Sequence, residues 1–339
     1  MRALRDMEME TLILPSVARP SLSEAVEVAA AALARGELVA LPTETVYGLG
    51  GDALNASAAA RIFEAKERPF FDPLICHLPD HSWLDRLTDI PAAVRNVVDA
   101  LVARFWPGPL TLVLPKREIV PDLVSSGLPT VAVRRSAHPV FSAIVERFGS
   151  PVAAPSANRF GRISPTQAGH VLEELGGRIP LIIEGGATLH GVESTIVEVV
   201  ENGVLRILRS GPVTREQLEE FGEVEVPGAV SEDQPEAPGR LKSHYAPRTP
   251  MELVEVGAEG SGVRGRYGLL AWRKGRPGYE EVEILSQAGD LREAAATLFA
   301  KMRCLDERGL DGILAERVPG YGLGAAINDR LIKASYPRG

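Results

Sequence analysis

Residues 38–50 read Leu38-Val39-Ala40-Leu41-Pro42-Thr43-Glu44-Thr45-Val46-Tyr47-Gly48-Leu49-Gly50. A short apolar run stops at a proline, and small polar residues and glycines follow at once. Residues 38–41 therefore read as a strand buried on both faces. Such strands belong to α/β packing, in which ligands collect beyond strand ends. Thr43, Glu44 and Thr45 stand in that position, and the glycines from Gly48 to Gly51 allow close backbone approach. Downstream comes Lys66-Glu67-Arg68-Pro69, closed by His77 in Asp72-Pro73-Leu74-Ile75-Cys76-His77. Pro69 pushes Arg68 out of the helical region, and in extended backbone residues i and i+2 share a face. Lys66 and Arg68 can then aim at one anion, such as a ligand with several phosphates. The alternative is that both complement the dipole of the helix before them.

Working outward, the pattern predicts helices over 22–34, opened by Ser21 or Ser23 and closed by Gly36, over 56–65, and over 92–105. Ser164-Pro165 reads as an N-cap and first helical residue of a helix reaching Leu175. Strands are expected at 74–78, 110–114, 131–135, 152–154 and 181–184. Residues 195–200 and 204–208 flank Glu201-Asn202-Gly203, a hairpin signal, and Thr214 with Gln217 forms a capping box. Residues 226–250 hold five prolines and no periodicity, which reads as a linker. Beyond it, strands at 251–256, 267–272, 282–285 and 312–316 alternate with helices at 291–308, capped by Asp290, and 324–334. The division expected is a first domain over 1–225, a linker or lid over 226–250 and a small α/β domain over 251–339.

The 339 residues carry 45% hydrophobic and 24% charged side chains and a net charge of −8. That balance argues against a broad nucleic-acid surface, so no stable tRNA-binding face is expected and anions must be held in a local basic pocket. Cys76 and Cys304 cannot make a disulfide framework or a thiolate metal site. No signal-peptide pattern opens the sequence and no apolar run spans a bilayer, so a cytoplasmic chain without membrane partners is expected.

Chemistry-bearing residues fall in islands at strand ends. Besides those above, Arg134 and Arg135 end a strand, Ser156-Ala157-Asn158 follows another, Glu193-Ser194-Thr195 opens the hairpin and Arg209-Ser210-Gly211-Pro212 closes it. One such island is ordinary turn chemistry, and Glu44, His77 or Glu193 alone would read as a solvated or core residue. Their recurrence with arginine or lysine points to a site. Metal-ligand spacings, phosphate loops and nucleophile elbows are absent from the sequence. Gly320-Tyr321-Gly322-Leu323-Gly324 stands far from the other islands.

Taken together, PTETVYGLG, the Lys66/Arg68 pair with PLICHL, TVAVRR, APSANRFGRISPT, ESTIVEV and ILRSGPVT resemble the threonylcarbamoyl-AMP synthases of the YrdC type, in the same order. The run Pro238 to Pro247, ending in HYAP, and GLGAAINDRL near the C-terminus resemble the two-domain class. The resemblance implies a YrdC-like twisted mixed sheet with helices around a basic cavity, plus a smaller Rossmann-like C-terminal domain. It implies synthesis of L-threonylcarbamoyladenylate from L-threonine, bicarbonate and ATP, with ATP as substrate, Mg2+ accompanying it and pyrophosphate released. This is the first step toward N6-threonylcarbamoyladenosine in tRNA, and the resemblance makes a downstream transferase complex a partner. Carried over by motif, Thr45, His77, Arg134, Ala154 and Ser194 form a threonine pocket. Lys66, Arg68, Asp72, Thr130, Ser156, Ser164 and Arg209 form the nucleotide side, with Lys66 and Arg68 catalytic; Asn158 orders the Ser156 turn. His244 or Tyr245 reaches back from the linker as a lid. Two departures stand out: Asp72 replaces the usual Asn, and Ser243 replaces a frequent basic residue. The competing readings are a carbamoyltransferase module on the same fold and a non-catalytic RNA-binding protein. Two isolated cysteines count against the zinc-bearing form of the first, and charge with 5% aromatics against the second.

Overall fold

The computed structural model describes residues 10–16, 21–200, 202–226, 244–258, 260 and 265–336. Among them, an eleven-stranded mixed sheet runs in the order Leu12–Pro15, Leu181–Glu184, Val39–Leu41, Gly48–Asp52, Val152–Ala153, Ile75–His77, Thr130–Arg134, Leu110–Pro115, Thr195–Val199, Leu205–Arg209 and Val224–Glu225. A second sheet of four parallel strands follows the order Met251–Val254, Gly312–Glu316, Tyr267–Ala271 and Glu281–Ile284. The buried apolar runs become central strands, because helices cover both faces and leave no solvated side to pattern. On one face Ala25, Ala29 and Leu33 of helix Ser21–Ala34 pack on Phe141 and Ile144 of helix Pro139–Phe148.

Local signals act as expected at many ends. The Asn55 side chain accepts from the amides of Ser57 and Ala58 at 2.9 and 3.3 Å and opens helix Ala56–Lys66. Thr214 and Gln217 form their reciprocal cap, and Asp290 caps helix Leu291–Asp306. Residues 195–199 and 205–209 pair antiparallel.

Two expectations fail. Lys66 is the last residue of a helix and Glu67 is left-handed at φ 53°, so the two cations do not stand on an extended segment. The helix expected from Ser164 begins at Ala168, after extended Gln167; the Ser164 hydroxyl is engaged elsewhere. The glycines after Tyr47 form strand Gly48–Asp52, antiparallel to Val39–Leu41. A Cβ on Gly50 would stand 3.1 Å from Leu41, Val152 and the Val39 carbonyl, so glycine lets this strand lie close between neighbours. Helix Pro139–Phe148 and the edge strand Leu12–Pro15 went unread. Of the expected linker, residues 227–243, including Ser243, lie outside the described residues, as does Glu201 of the hairpin turn.

The second unit packs on the mouth of the first. One apolar cluster joins Val46, Ile163, Val192 and Tyr245 to Leu298, Phe299 and Ile327. Gly191, at φ +67°, marks the closest approach: a Cβ there would lie 2.3 Å from the Ala295 carbonyl oxygen. Arg303 donates to the Ile163 carbonyl and pairs with Glu174 at 3.4 Å across the same seam.

Candidate active site

Sheet register builds the centre of the site. His77 and Arg134 are direct partners on parallel neighbours, and Arg134 stands opposite Thr111 on the antiparallel side. Paired residues point to one face, so histidine and guanidinium converge. Thr43 anchors the loop after Val39–Leu41 by accepting from the amides of Thr45 and Val46 at 3.0 and 3.2 Å, and the loop brings Glu44 and Thr45 to Arg134.

Arg134 donates to Glu44 Oε1 at 2.6 Å, Thr45 Oγ1 at 3.1 Å and the Gly108 carbonyl at 3.1 Å. The second Glu44 oxygen accepts from the Ser136 hydroxyl. Burial alone would raise the Glu44 carboxyl, but the Arg134 charge and these hydrogen bonds outweigh it and hold the pKa at about 2. His77 is buried against Phe141, ring centroids 4.7 Å apart, and its Nδ1 has no hydrogen-bond partner among the described residues. Burial, then the Arg134 charge, pulls its pKa to about 3, so the ring is neutral at ordinary pH.

On the other side, Lys66 Nζ donates to the carbonyls of Ser156 and Asn158 at 2.6 and 2.5 Å. Burial, then Arg68, sets its pKa well below the usual lysine value. Arg68 holds the Asp72 and Pro73 carbonyls at 3.0 and 2.8 Å and pairs with the Asp72 carboxylate at 2.9 Å. Neither Asp72 carboxylate oxygen has a hydrogen bond among the described residues, and burial pushes this carboxyl upward despite Arg68 and Lys66. Asn158 donates to the carbonyls of Arg159 and Arg162, ordering the loop after Ser156.

A third corner joins Arg209 to the Ser194 carbonyl and hydroxyl, both at 3.0 Å, with Thr111 at 2.8 Å from that hydroxyl. Ser164 donates to Glu193 at 2.5 Å, and Glu193 binds Arg330 at 2.9 Å. Over this floor His244 and Tyr245 are buried, their rings 4.1 Å apart, with Tyr245 stacked on Phe299 and His244 edge-on to Phe160. Burial, then Arg68, keeps the His244 ring neutral.

A cavity of about 40 Å³ remains between these corners. Thr45, His77, Arg134 and Ala154 line one part of it; Arg68, Ser156, Arg209, His244 and Tyr245 line the rest. Lys66, Asp72, Asn158, Ser164 and Ser194 stand behind that lining. Thr130 lies at the far end of the Arg134 strand, on the same face but roughly 13 Å away at strand rise. Sequence reading missed the pairing of Glu44 with Arg134, the part played by Ser136, and Arg330 altogether. Glu44 had a usable signal, a carboxylate between two threonines of a buried loop. Arg330 had none, since 137 residues separate it from Glu193.

A large mixed sheet whose strand ends enclose a cavity, with Arg134 held by Glu44 at one side and the buried cations Arg68 and Arg209 at the other, defines an α/β protein with a basic pocket suited to anionic small molecules. Comparison makes this specific. Residues 31–211 match the Sua5/YciO/YrdC family model, described as telomere recombination, and residues 213–335 match the threonylcarbamoyl-AMP synthase C-terminal domain. Threonylcarbamoyl-AMP synthase from Pyrococcus abyssi is 43% identical over 91% of this chain and 94% of its own length. That of Bacillus subtilis is 41% identical over 91% and 92%. The crystal structure of P. abyssi Sua5 complexed with L-threonine superposes with TM-score 0.88 at 40% identity, covering 96% of this chain and 98% of that one. This chain belongs to the threonylcarbamoyl-AMP synthase family.

Proposed function

We propose that this chain makes L-threonylcarbamoyladenylate from L-threonine, bicarbonate and ATP, supplying the activated group for tRNA N6-threonylcarbamoyladenosine, and that residues 1–225 form the catalytic domain, 226–250 the lid and 251–339 the smaller domain. The observation that carries this reading is the Arg134–His77 corner facing the Arg68–Arg209 corner across one cavity, in a chain so similar to named synthases.

The threonine carboxylate suits the Arg134 fork, with Thr45 beside it and neutral His77 and Ala154 as walls. The threonine amine condenses with bicarbonate, releasing water, to a carbamate. A carbamate oxygen then attacks the α-phosphorus of ATP; the bond to the β-phosphate oxygen breaks and pyrophosphate leaves. Such a displacement needs positioning and charge neutralisation more than a protein nucleophile. Arg68 and Arg209 on the cavity wall supply the charge, Ser156 supplies a hydroxyl, and Lys66 and Ser164 support that wall from behind through the Ser156 and Asn158 carbonyls and Glu193. The described residues contain no group of three His, Cys, Asp or Glu able to cage a metal. A Mg2+ carried on ATP phosphates needs no such cage, and Asp72, behind the lining and paired with Arg68, would act on it only through that arginine.

At about 10–15 Å³ of such space per water, a 40 Å³ cavity takes roughly three waters and no nucleotide while Tyr245 is seated. ATP entry therefore requires the His244-Tyr245 segment to lift. Tyr245 sits at φ 62°, a conformation costing about 1 kcal/mol for a non-glycine residue, which eases that opening. Returning, the segment would keep water from the mixed anhydride. The test is pyrophosphate release from ATP with and without threonine and bicarbonate, with mass detection of the adenylate. Release indifferent to threonine would sink the reading.

A further inference from the structure

Helix Leu323–Ala334 belongs to the small unit, yet its fully buried Arg330 reaches two residues that line the cavity, Glu193 and Tyr245. Its Nε donates to Glu193 Oε2 at 2.9 Å and its Nη1 to the Ser210 carbonyl at 2.8 Å. The guanidinium carbon lies 5.2 Å from the Tyr245 ring centroid, within cation–π range. Asp329 meets Nη1 at 2.8 Å, while Nη2 makes no hydrogen bond among the described residues. One turn further along this helix, the Lys333 carbonyl accepts the His244 amide at 3.3 Å. Glu193 itself lines the cavity, and its other oxygen holds Ser164. A single helix thus touches the lid through backbone and side chain, and the cavity wall through the same side chain.

We infer that Arg330 is a positioning residue of the reaction: it ties the seating of Tyr245 to the Ser164–Glu193 wall, so the small unit sets how tightly the lid shuts over the nucleotide. The reasoning is geometric. A guanidinium presents several donors in one plane and a flat face, so it can hold Glu193, hold Ser210 and lie against an aromatic ring together. A lysine keeps the charge, but its compact ammonium cannot lie flat on Tyr245 while holding both oxygens. Arg330→Lys should therefore loosen the lid while leaving an ion pair at the seam. Thr45, His77, Arg134 and Ala154 belong to the first unit and do not touch Arg330, so threonine occupancy should not feel the change.

This inference rests on the reading given under Proposed function, but part of its test does not. Hydrogen exchange at the amides of His244 and Ala246, which donate to the Lys333 and Gly161 carbonyls, is compared between wild type and Arg330→Lys. Roughly tenfold faster exchange there is expected, with strand Thr130–Arg134 unchanged as an internal control. Equal exchange at both amides overturns the proposal whatever the reaction proves to be. In turnover, the Michaelis constant for ATP should rise several-fold and more AMP should form per adenylate, as water cleaves the mixed anhydride to AMP and N-carboxythreonine. The threonine dissociation constant, read by calorimetry, should stay within about twofold. Threonine and ATP weakening together would mark Arg330 as a general structural prop and overturn the positioning role. Should Arg330→Lys fail to fold, Glu193→Gln, which keeps the acceptor and removes the charge, must show the same split. Absence of threonine-dependent pyrophosphate release in wild type would instead count against the synthase reading, leaving the exchange result to decide this one.

Discussion

Two buried arginine–glutamate pairs flank the same cavity from different origins, one member of each, Arg134 and Glu193, lining it. Arg134–Glu44 lies wholly within the large sheet, at 2.6 Å with side chains 4% and 7% exposed. Arg330–Glu193 bridges the two units at 2.9 Å, with 0% and 7%. The chemistry is alike and so is the burial. What differs is what each pair fixes. Glu44 takes hydrogen bonds from Arg134 and Ser136 and fixes the guanidinium at the cavity wall, where threonine is proposed to bind. Glu193 joins one unit's wall to the other unit's helix and lid. A buried pair is a weak argument for net stability, but removing one partner leaves a costly unpaired charge. The first pair is thus a device of the pocket and the second a device of the joint.

Substitutions that respect this division should separate binding, closure and folding. The largest effect is expected from the phosphate side, where Lys66→Ala with Arg68→Ala removes two cations at and just beyond the end of helix Ala56–Lys66. Adenylate formation should fall at least about 10³-fold, since single preorganised donors at developing charge are worth about 10² to 10³, while far-ultraviolet circular dichroism stays native. Normal turnover would reduce these cations to helix-end charges. Next comes Arg134→Met, which strands Glu44. Denaturant unfolding should show a loss of about 3–5 kcal/mol, and calorimetry should show no threonine binding.

The pH dependence isolates the same pair. Glu44 has a folded pKa near 2 against 4.5 when unperturbed. With the folded value depressed, its contribution is present above pH 4.5 and drains away as pH falls toward 2, because the unfolded chain takes up the proton first. His77, at about 3 against 6.5, adds a loss that begins below pH 6.5. Glu44→Gln should lower stability at neutral pH and flatten the fall between pH 4.5 and 2, leaving the limb from 6.5 downward. Unfolding curves across pH 2–7 would show it, and an unaltered acid limb would assign the loss elsewhere.

The pocket pair was half legible in the sequence and the joint pair was not. A strand stopping at Pro42 and another ending in Arg134-Arg135 announce strand-end chemistry from local pattern alone. Their register could not be read, because pairing between residues some ninety positions apart depends on the whole sheet's order. Ser164-Pro165 misled because a local N-cap signal lost to a tertiary partner, Glu193, that satisfies the hydroxyl better. Gly48 to Gly51 were legible as a place of close backbone approach, which crowding by Leu41 and Val152 at Gly50 bears out, but not as a strand. Helix Leu323–Ala334 was legible as a helix, but nothing in its periodicity says that one arginine is aimed at another unit's cavity.

A third arginine–glutamate pair sets the scale. Arg206 and Glu198 face each other across the hairpin, in register and 2.8 Å apart, but with side chains 34% and 27% exposed. Water competes for both charges and salt screens them, so cross-strand pairs of this kind contribute roughly 0.2–1 kcal/mol. Glu198→Gln should thus shift the denaturation midpoint slightly, less so in high salt, and leave threonine binding and turnover as in wild type. Equal losses from Glu198→Gln and Arg134→Met would mean that burial is not what separates these pairs. A small, salt-sensitive loss beside a large, salt-insensitive one would place the difference in desolvation, which is the property the two cavity pairs share and the hairpin pair lacks.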